Sequence, residues 1–318
     1  MSVVVPFRDR RLLLRDLLDG LAAQTWTDVE VVLVDDGSTD GAAEEAEGRV
    51  IGGRPVAVVR REGGGAVAAR QAGVAAARGR ILAFTDSDCV PDAGWLKAGV
   101  AAIEAGADVV QGHTHPARRR APLERSLWVV DEGLYPTCNV FYRRDAYDRA
   151  GGFDATIADR YGFRPDERAK GLGFGEDTLL GWRVRREGRA AYEPAAVVAH
   201  HVFPPDPRDQ LSRTLQAAAF PALVREIPEL RTTLLEHGVF LGPSRPPLYA
   251  AVLLLLGRRP KLAAAMAGVW VAGHWRGCRR TEPSRRRCAK ALPVLLATDV
   301  VLAGSLVSGS VRSRTVVL

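Results

Sequence analysis

Cysteine and methionine are scarce in this 318-residue chain, which holds four of the first and two of the second. Cys89, Cys138, Cys278 and Cys288 show neither C-x-x-C spacing nor a regular framework, so neither a metal role nor a disulfide role is expected of them. A reducing cytosol is the expected compartment. A basic leader is lacking as well: Met1 and Ser2 run straight into the strand-like VVVPF, so no secretory signal is expected. Lysine is rare beside arginine, and no internal repeat stands out. What the chain has in plenty is apolar residues, 47% of the total, enough for one large domain or one domain with an extension.

The net charge of +7 is unevenly spread. Residues 245–318 carry 13 basic and two acidic side chains (Glu282 and Asp299), a balance of +11, which leaves −4 for residues 1–244. An asymmetry of this size marks a segment suited to an anionic surface. The motifs lie in the acidic part, and GPSRPP (242–247) is the best linker candidate. The expected division is a domain over 1–242 and a basic helical extension over 243–318.

The first hundred residues alternate short aliphatic strands with helical patterns. Strands are expected at 3–6, 29–36, 55–60 and 81–85, with helices over 11–23, 42–48 and 66–78 between them. This order predicts an α/β fold with a doubly wound, mostly parallel sheet, whose ligands sit at the carboxyl ends of its strands. Further strands are expected at 108–112, 139–144 and 195–201, a helix over 178–187, and a long functional loop from Gly151 to Gly175.

ILAFTDSDCVP (81–91) ends an aliphatic strand in Asp86 and Asp88. Side chains two apart leave a strand on the same face. Two like charges side by side favour a cation, and their hard oxygens suit Mg2+ or Mn2+, which in turn hold phosphates. The same residues also suit a solvated turn, so the motif alone leaves both open. VVLVDDGSTDG (31–41) puts Asp35 and Asp36 at a strand end, as a nucleotide pocket or as turn chemistry. Gly63 to Gly65 and the following helix with Arg70 suit a pyrophosphate, or a plain turn with a solvated arginine; the spacing is neither Walker nor G-x-G-x-x-G. Glu176 and Asp177 open the helix of GFGEDTLLGWR (173–183), where acids oppose the helix dipole and where a general base is also well placed. His200 and His201 end the last strand, as metal ligands or as ordinary strand-end histidines.

Taken in order, VVVPFRDR, VVLVDDGSTDG, EGGGAVAARQAG, ILAFTDSD, NVFYRRDAYDRAGGFD and GFGEDTLLGWR closely resemble the family 2 glycosyltransferases of the GT-A fold, over roughly residues 2–215. The resemblance implies a nucleotide-diphosphate sugar donor bound through Pro6, Phe7, Asp9, Asp36, Ser38, Arg70 and Asp86, with Asp36 on the base. It implies Asp88 as the principal ligand of Mn2+ or Mg2+, aided by Asp86 and by His200 or His201. Asp177, with Glu176 beside it, becomes the catalytic base of an inverting single displacement onto an acceptor hydroxyl. The chain departs from the family's pattern at PFRD and at Leu179, and both departures bear more on the acceptor than on the donor. Two rival readings are a sugar nucleotidyltransferase and a catalytically inactive membrane-bound scaffold. The first expects a basic glycine-rich loop after the first strand, and the second is at odds with the intact set of acids.

Three apolar stretches, 248–256, 262–275 and 291–307, are each shorter than the ~20 residues of a spanning helix. Asp299 lies in the last, and a dense set of arginines lies between the second and third. Helices lying in the interface of an anionic membrane are expected, at the inner face of the cell membrane, bringing the enzyme to a lipid-linked acceptor in cell-envelope synthesis. No nucleic-acid partner is expected.

Overall fold

The structure is a computed structural model that describes residues 1–131, 133–161, 174–242 and 245–318. Two compact units make up the chain. The first contains Met1–Ala117, Ser126–Arg160 and the described residues from 174 to His201. Its elements in order are β1 (Ser2–Phe7), α1 (Arg11–Ala22), β2 (Glu30–Asp35), α2 (Ala42–Glu47), β3 (Val50–Ile51), β4 (Arg54–Pro55), β5 (Ala57–Arg60) and α3 (Gly65–Ala76). There follow β6 (Ile81–Phe84), β7 (Cys89–Pro91), α4 (Trp95–Glu104), β8 (Val109–Pro116), β9 (Val140–Arg143), α5 (Arg144–Arg149), α6 (Ile157–Arg160), α7 (Glu176–Glu187) and β10 (Ala190–His200).

Eight strands form one mixed sheet in the order β5-β2-β1-β6-β9-β8-β10-β7. β5, β2, β1 and β6 run parallel, β9 is antiparallel to both β6 and β8, and β10 runs parallel to β8. This is the expected α/β fold. The all-aliphatic strands follow from burial on both faces: every residue of β1 is buried. Val3 and Val5 join a core with Leu14, Leu17, Leu18 and Leu21 of α1, whose spacing puts them on one helical face. Val4 faces α3, where a Cβ on Gly73 would come within 2.4 Å of its side chain, so only glycine lets the helix lie this close.

Several boundaries differ from those read in the sequence. The strand expected at 195–201 begins at Ala190 and runs beside β8 with a bulge between Glu193 and Val197. Pro194 in that run suppressed the strand pattern, and a bulge is where a sheet accommodates it. The strand expected at 55–60 divides into β4 and β5, and most of the loop expected over 151–175 lies outside the described residues. Buried Asn139 secures the bulge: its Oδ1 accepts from Trp95 Nε1 (2.8 Å), and its Nδ2 donates to His113 O (2.9 Å) and Ala196 O (2.8 Å).

The second unit contains Arg118–Arg125, Tyr161 and Val202–Leu318 among its described residues. After α8 (Pro207–Gln216), a 3-10 turn (Ala217–Ala219), α9 (Phe220–Glu226) and α10 (Leu230–Thr233) come α11 (Arg245–Leu256), α12 (Pro260–Thr281) and α13 (Arg285–Ser313). α13 packs on α8 and on the 3-10 turn, where a Cβ on Gly309 would strike the Ala218 carbonyl. Two expectations are corrected here. Cys278 and Cys288, ten residues apart, form a disulfide with their Cα atoms 5.8 Å apart, because the short turn between α12 and α13 folds the two helices together. Of the three apolar stretches, 248–256 lies in the 12-residue α11, while 262–275 and 291–307 lie in continuous helices of 22 and 29 residues, and α13 is long and apolar enough to cross a membrane.

Replacing Asn139 with aspartate keeps the shape but sets a carboxylate against two carbonyls. The expected outcome is a loss on the order of 3 kcal/mol, from the stranded buried acceptors, measured by urea unfolding.

Candidate active site

The carboxyl ends of β1, β2 and β6 and the start of α7 bring the predicted residues together on one side of the sheet. Asp36 follows β2 and is held by its own N–H on Phe7 O (3.0 Å). Its Oδ2 accepts from Gly65 N (2.7 Å), while the buried Oδ1 has no hydrogen-bond partner among the described residues. That oxygen forms an ion pair with Arg61 Nε at 3.7 Å, beyond hydrogen-bond reach, so it can still accept from a donor on a ligand. Gly63, Gly64 and Gly65 all have positive φ (104°, 142° and 86°), a run of left-handed backbone that only glycines follow without strain. Asp9, also at positive φ, accepts from Thr39 N (2.7 Å), and Ser38 Oγ accepts from Asp9 N (3.0 Å). Those bonds tie the loop after β1 to the loop after β2. The hydrogen bond from Thr39 holds the Asp9 carboxyl below its ordinary range. Pro6 and Phe7 are part of β1, with the Phe7 ring in the core, so only their backbone faces the site.

Arg70 of α3 is buried at the centre. Its Nη2 donates to Asp86 Oδ1 (3.0 Å) and its Nη1 reaches Glu176 Oε1 (3.5 Å). Nε of Arg70 and Oε2 of Glu176 are buried without partners among the described residues. Burial raises the Glu176 carboxyl in spite of the guanidinium beside it. Asp177, which accepts from Thr178 N (2.7 Å), is pushed up to about 7, first by desolvation and then by the neighbouring Glu176 charge.

Asp88 lies under a different group of partners. Arg10 Nη1 donates to its Oδ2 (3.0 Å), and His200 Nε2 is 3.6 Å from its Oδ1. His200 Nδ1 is 2.7 Å from His201 O, and because a carbonyl only accepts, Nδ1 is the donor there, which leaves Nε2 facing Asp88. Ser126 Oγ supports the same ring at 3.2 Å. A histidine oriented in this way beside a carboxylate is a ready metal ligand. Asp88, Cys89 and His200 present ligand atoms within 4.8 Å of one another. Burial raises the Cys89 thiol well above its ordinary value, and the carboxylate oxygen and imidazole are the donors of this group that suit Mg2+ or Mn2+. The His201 ring turns away to Asp16 of α1 (3.3 Å). Asp86 faces Arg70 rather than the Asp88 group.

Sequence reasoning passed over Arg10 and Ser126. The basic run FRDRR was the one available signal for Arg10; nothing local marks Ser126, which reaches His200 across 74 residues.

A mixed sheet with carboxylates at successive strand ends, a glycine turn over a buried arginine, and an acid pair opening a helix define a nucleotide-sugar transferase fold of the GT-A type. Residues 2–153, just under half of the chain, match the family model for Glycosyl transferase family 2, and the chain carries a domain of that family over those residues. Over 168 residues it is 30% identical to glycosyltransferase AglE of Haloferax volcanii, covering 48% of this chain and 55% of that one. It is 26% identical to a pre-mycofactocin glycosyltransferase of Mycobacterium tuberculosis, over 95% of this chain and 71% of that one. The chain thus spans about half the length of AglE and more of the mycobacterial relative. Among solved structures, the mannosyltransferase PcManGT of Pyrobaculum calidifontis, in complex with GDP-Man and Mn2+, aligns with a TM-score of 0.56 at 16% identity, covering 98% and 86% of the two chains. TarS 1–349 of S. aureus, in complex with UDP-GlcNAc, aligns with a TM-score of 0.51 at 19% identity, covering 99% and 92%. At these identities the likeness is one of fold.

Arg70→Met removes the cation and leaves Glu176 and Asp86 facing its place. A loss of about 3 kcal/mol is expected, the scale for breaking a buried ion pair from one side. Arg60→Met, which removes an exposed arginine paired with Glu44 and Glu47, is expected to change little in the same urea titration.

Proposed function

We propose that this protein transfers a sugar, with inversion, from a nucleotide-diphosphate sugar to an acceptor hydroxyl, with Asp177 as the general base. The observation that carries this reading is the Asp177 carboxyl, brought to about 7 at the start of α7 beside the Arg70 network. A base with that proton affinity is half-ionised near neutral pH, where general base catalysis is most effective. Asp36 Oδ1 supports the donor side as an acceptor for the base, and the Gly63–Gly65 turn opens room for the diphosphate above α3. Asp88 and His200 would hold a divalent cation, which when bound offsets the charge of the diphosphate. Arg70 has two roles: it orients Asp86 toward the donor and, through Glu176, sets the charge beside the base. Glu176 is a positioning residue in this scheme.

Asp177→Asn keeps the size of the side chain and removes its basicity. With Mn2+ and a panel of UDP-, GDP- and dTDP-sugars, turnover is expected to fall by about 10²–10⁴-fold while donor affinity holds. For the wild type, log kcat/KM is expected to rise with pH up to about 7 and then level off. Stability runs the other way. The folded carboxyl sits above its ordinary 3.8, so the folded state loses stability as pH climbs from there through about 7. The asparagine variant is therefore expected to be the more stable protein at pH 8 in urea titrations. Near-normal turnover in Asp177→Asn would remove the assignment.

We also infer that the C-terminal helices lie against the inner face of an anionic membrane and that the acceptor is lipid-linked, in cell-envelope glycan or glycolipid synthesis. The supporting observation is the outer face of the helices: Leu253, Leu256, Leu262, Val269, Val300 and Val311 are exposed. Asp299 is turned inward, accepting from Trp270 Nε1 (2.8 Å) with His274 at 3.5 Å, so the outer face stays apolar. Arg258, Arg259, Arg280, Arg285 and Arg286 are exposed near the helix ends, suited to phosphate headgroups. The full chain is expected to sediment with phosphatidylglycerol vesicles at low salt. The triple variant Arg285→Glu, Arg286→Glu, Lys290→Glu is expected to stay largely in the supernatant. Equal sedimentation of the two proteins would remove the electrostatic part of this reading.

A further inference from the structure

Among the described residues, Trp128 is the only aromatic side chain that is exposed, at 63%. An exposed indole is costly to leave in water, and its surroundings give it a task. The segment that carries it is pinned at both ends to the residues of the site. At its start, Ser126 Oγ meets His200 Nδ1 (3.2 Å). In its middle, Val129 exchanges backbone hydrogen bonds with Thr114 of β8 (2.9 and 3.2 Å). At its end, Gly133 O accepts from Trp182 Nε1 (2.8 Å) and Leu134 O accepts from Thr178 Oγ1 (2.7 Å) on α7. Thr178 is the residue after Asp177. In sequence, Trp128 thus lies between a residue that meets His200 and two residues that meet α7, the helix of Asp177.

The ring is held in place. It meets His113 edge-on, with centroids 5.8 Å apart and planes at 85°. His113 Nδ1 in turn hydrogen-bonds Tyr192 OH (3.1 Å) on β10. Val109 pairs directly with Tyr142 of β9, so the two share a face, and alternation along β8 puts His113 on that face as well. α7, which opens with the acid pair, packs on β8 as well, and burial and then the Asp177 charge raise the Tyr142 phenol. Asp131 is exposed three residues after Trp128, and its charge adds to the effect of burial on the Tyr135 and Tyr192 phenols.

We propose that Trp128, rimmed by His113, Tyr192 and Asp131, is the acceptor subsite, and that it takes a pyranose ring. This deepens the transferase reading and rests on it. A pyranose presents an apolar C–H face and a rim of hydroxyls. A flat indole matches the first, and imidazole, phenol and carboxylate match the second. An aliphatic acceptor would use the indole and leave the polar rim without partners. The acceptor is therefore a glycoside, and Trp128 acts on its binding and orientation rather than on the proton.

The test is binding of methyl glucoside, methyl mannoside and methyl galactoside, with cyclohexylmethanol as the non-sugar control, followed by saturation-transfer NMR on the full chain. At least one glycoside is expected to bind more tightly than the control. Trp128→Ala is expected to weaken it by about tenfold or more, the scale of losing a central aromatic anchor, and Trp128→Phe to keep most of it. No glycoside binding above the control, or equal binding by Trp128→Ala, overturns the subsite. Titration of UDP and GDP with Mn2+ on the same samples reports separately on the donor half. If the nucleotides fail to bind while the glycoside does, the transferase reading falls and the sugar subsite stands.

Discussion

One guanidinium organises the catalytic unit. Arg70 comes from α3, Asp86 from the loop after β6 and Glu176 from the start of α7, more than a hundred residues further on. Arg70 and Glu176 are buried and depend on each other, while Asp86 is partly exposed. A lone buried cation costs several kcal/mol, and so does a lone buried carboxylate. Satisfying them together brings the loop after β6 and the start of α7 into one network. Glycine at position 73 lets α3 pack down on Val4 and Val34, setting the depth at which Arg70 enters.

The sheet supplies the second constraint. β1, β2, β5 and β6 run parallel and deliver their carboxyl ends to one edge, which places Asp36, Asp86 and Asp88 in the same region. Antiparallel β9 reverses the direction, and β8 and β10 then run parallel to each other. β7 pairs antiparallel with the end of β10, setting His200 opposite Cys89. His200 therefore returns to Asp88 by strand register, across 112 residues of chain. The register passes through the bulge that Asn139 secures, so a buried amide far from the donor helps set the histidine's position.

The features legible in the sequence were those written locally. β1, β2 and β6 are short aliphatic runs with abrupt polar ends, and α1 has a clean apolar face, so pattern alone locates them. The fold and the family followed from the order of such motifs. Three features were not legible because their cause is long-range. The start of β10 contains Pro194 and polar residues, and it is a strand because β8 lies beside it. The Cys278–Cys288 bridge depends on the turn that ends α12, and cysteine spacing carries no record of that turn. The choice between His200 and His201 depends on which face of the strand end meets Asp88, which one residue of register decides.

Glu176 and Asp177 show how far local chemistry reaches. Acids in the first turn of a helix are stabilised by its dipole and by free N–H groups, and that effect lowers their proton affinity. At α7 the direction is reversed. Thr178 N does hydrogen-bond Asp177 and favours its charged form, but desolvation outweighs the bond, and the Glu176 charge adds to desolvation. Arg70 offsets part of the penalty and is shared between Asp86 and Glu176, so it cannot restore an ordinary carboxylate at Asp177. If the pair were only a helix cap, its acids would lie at the surface with low proton affinity. Glu176 is buried and Asp177 half-buried behind one shared cation, and the desolvation raises both carboxyls above their ordinary values.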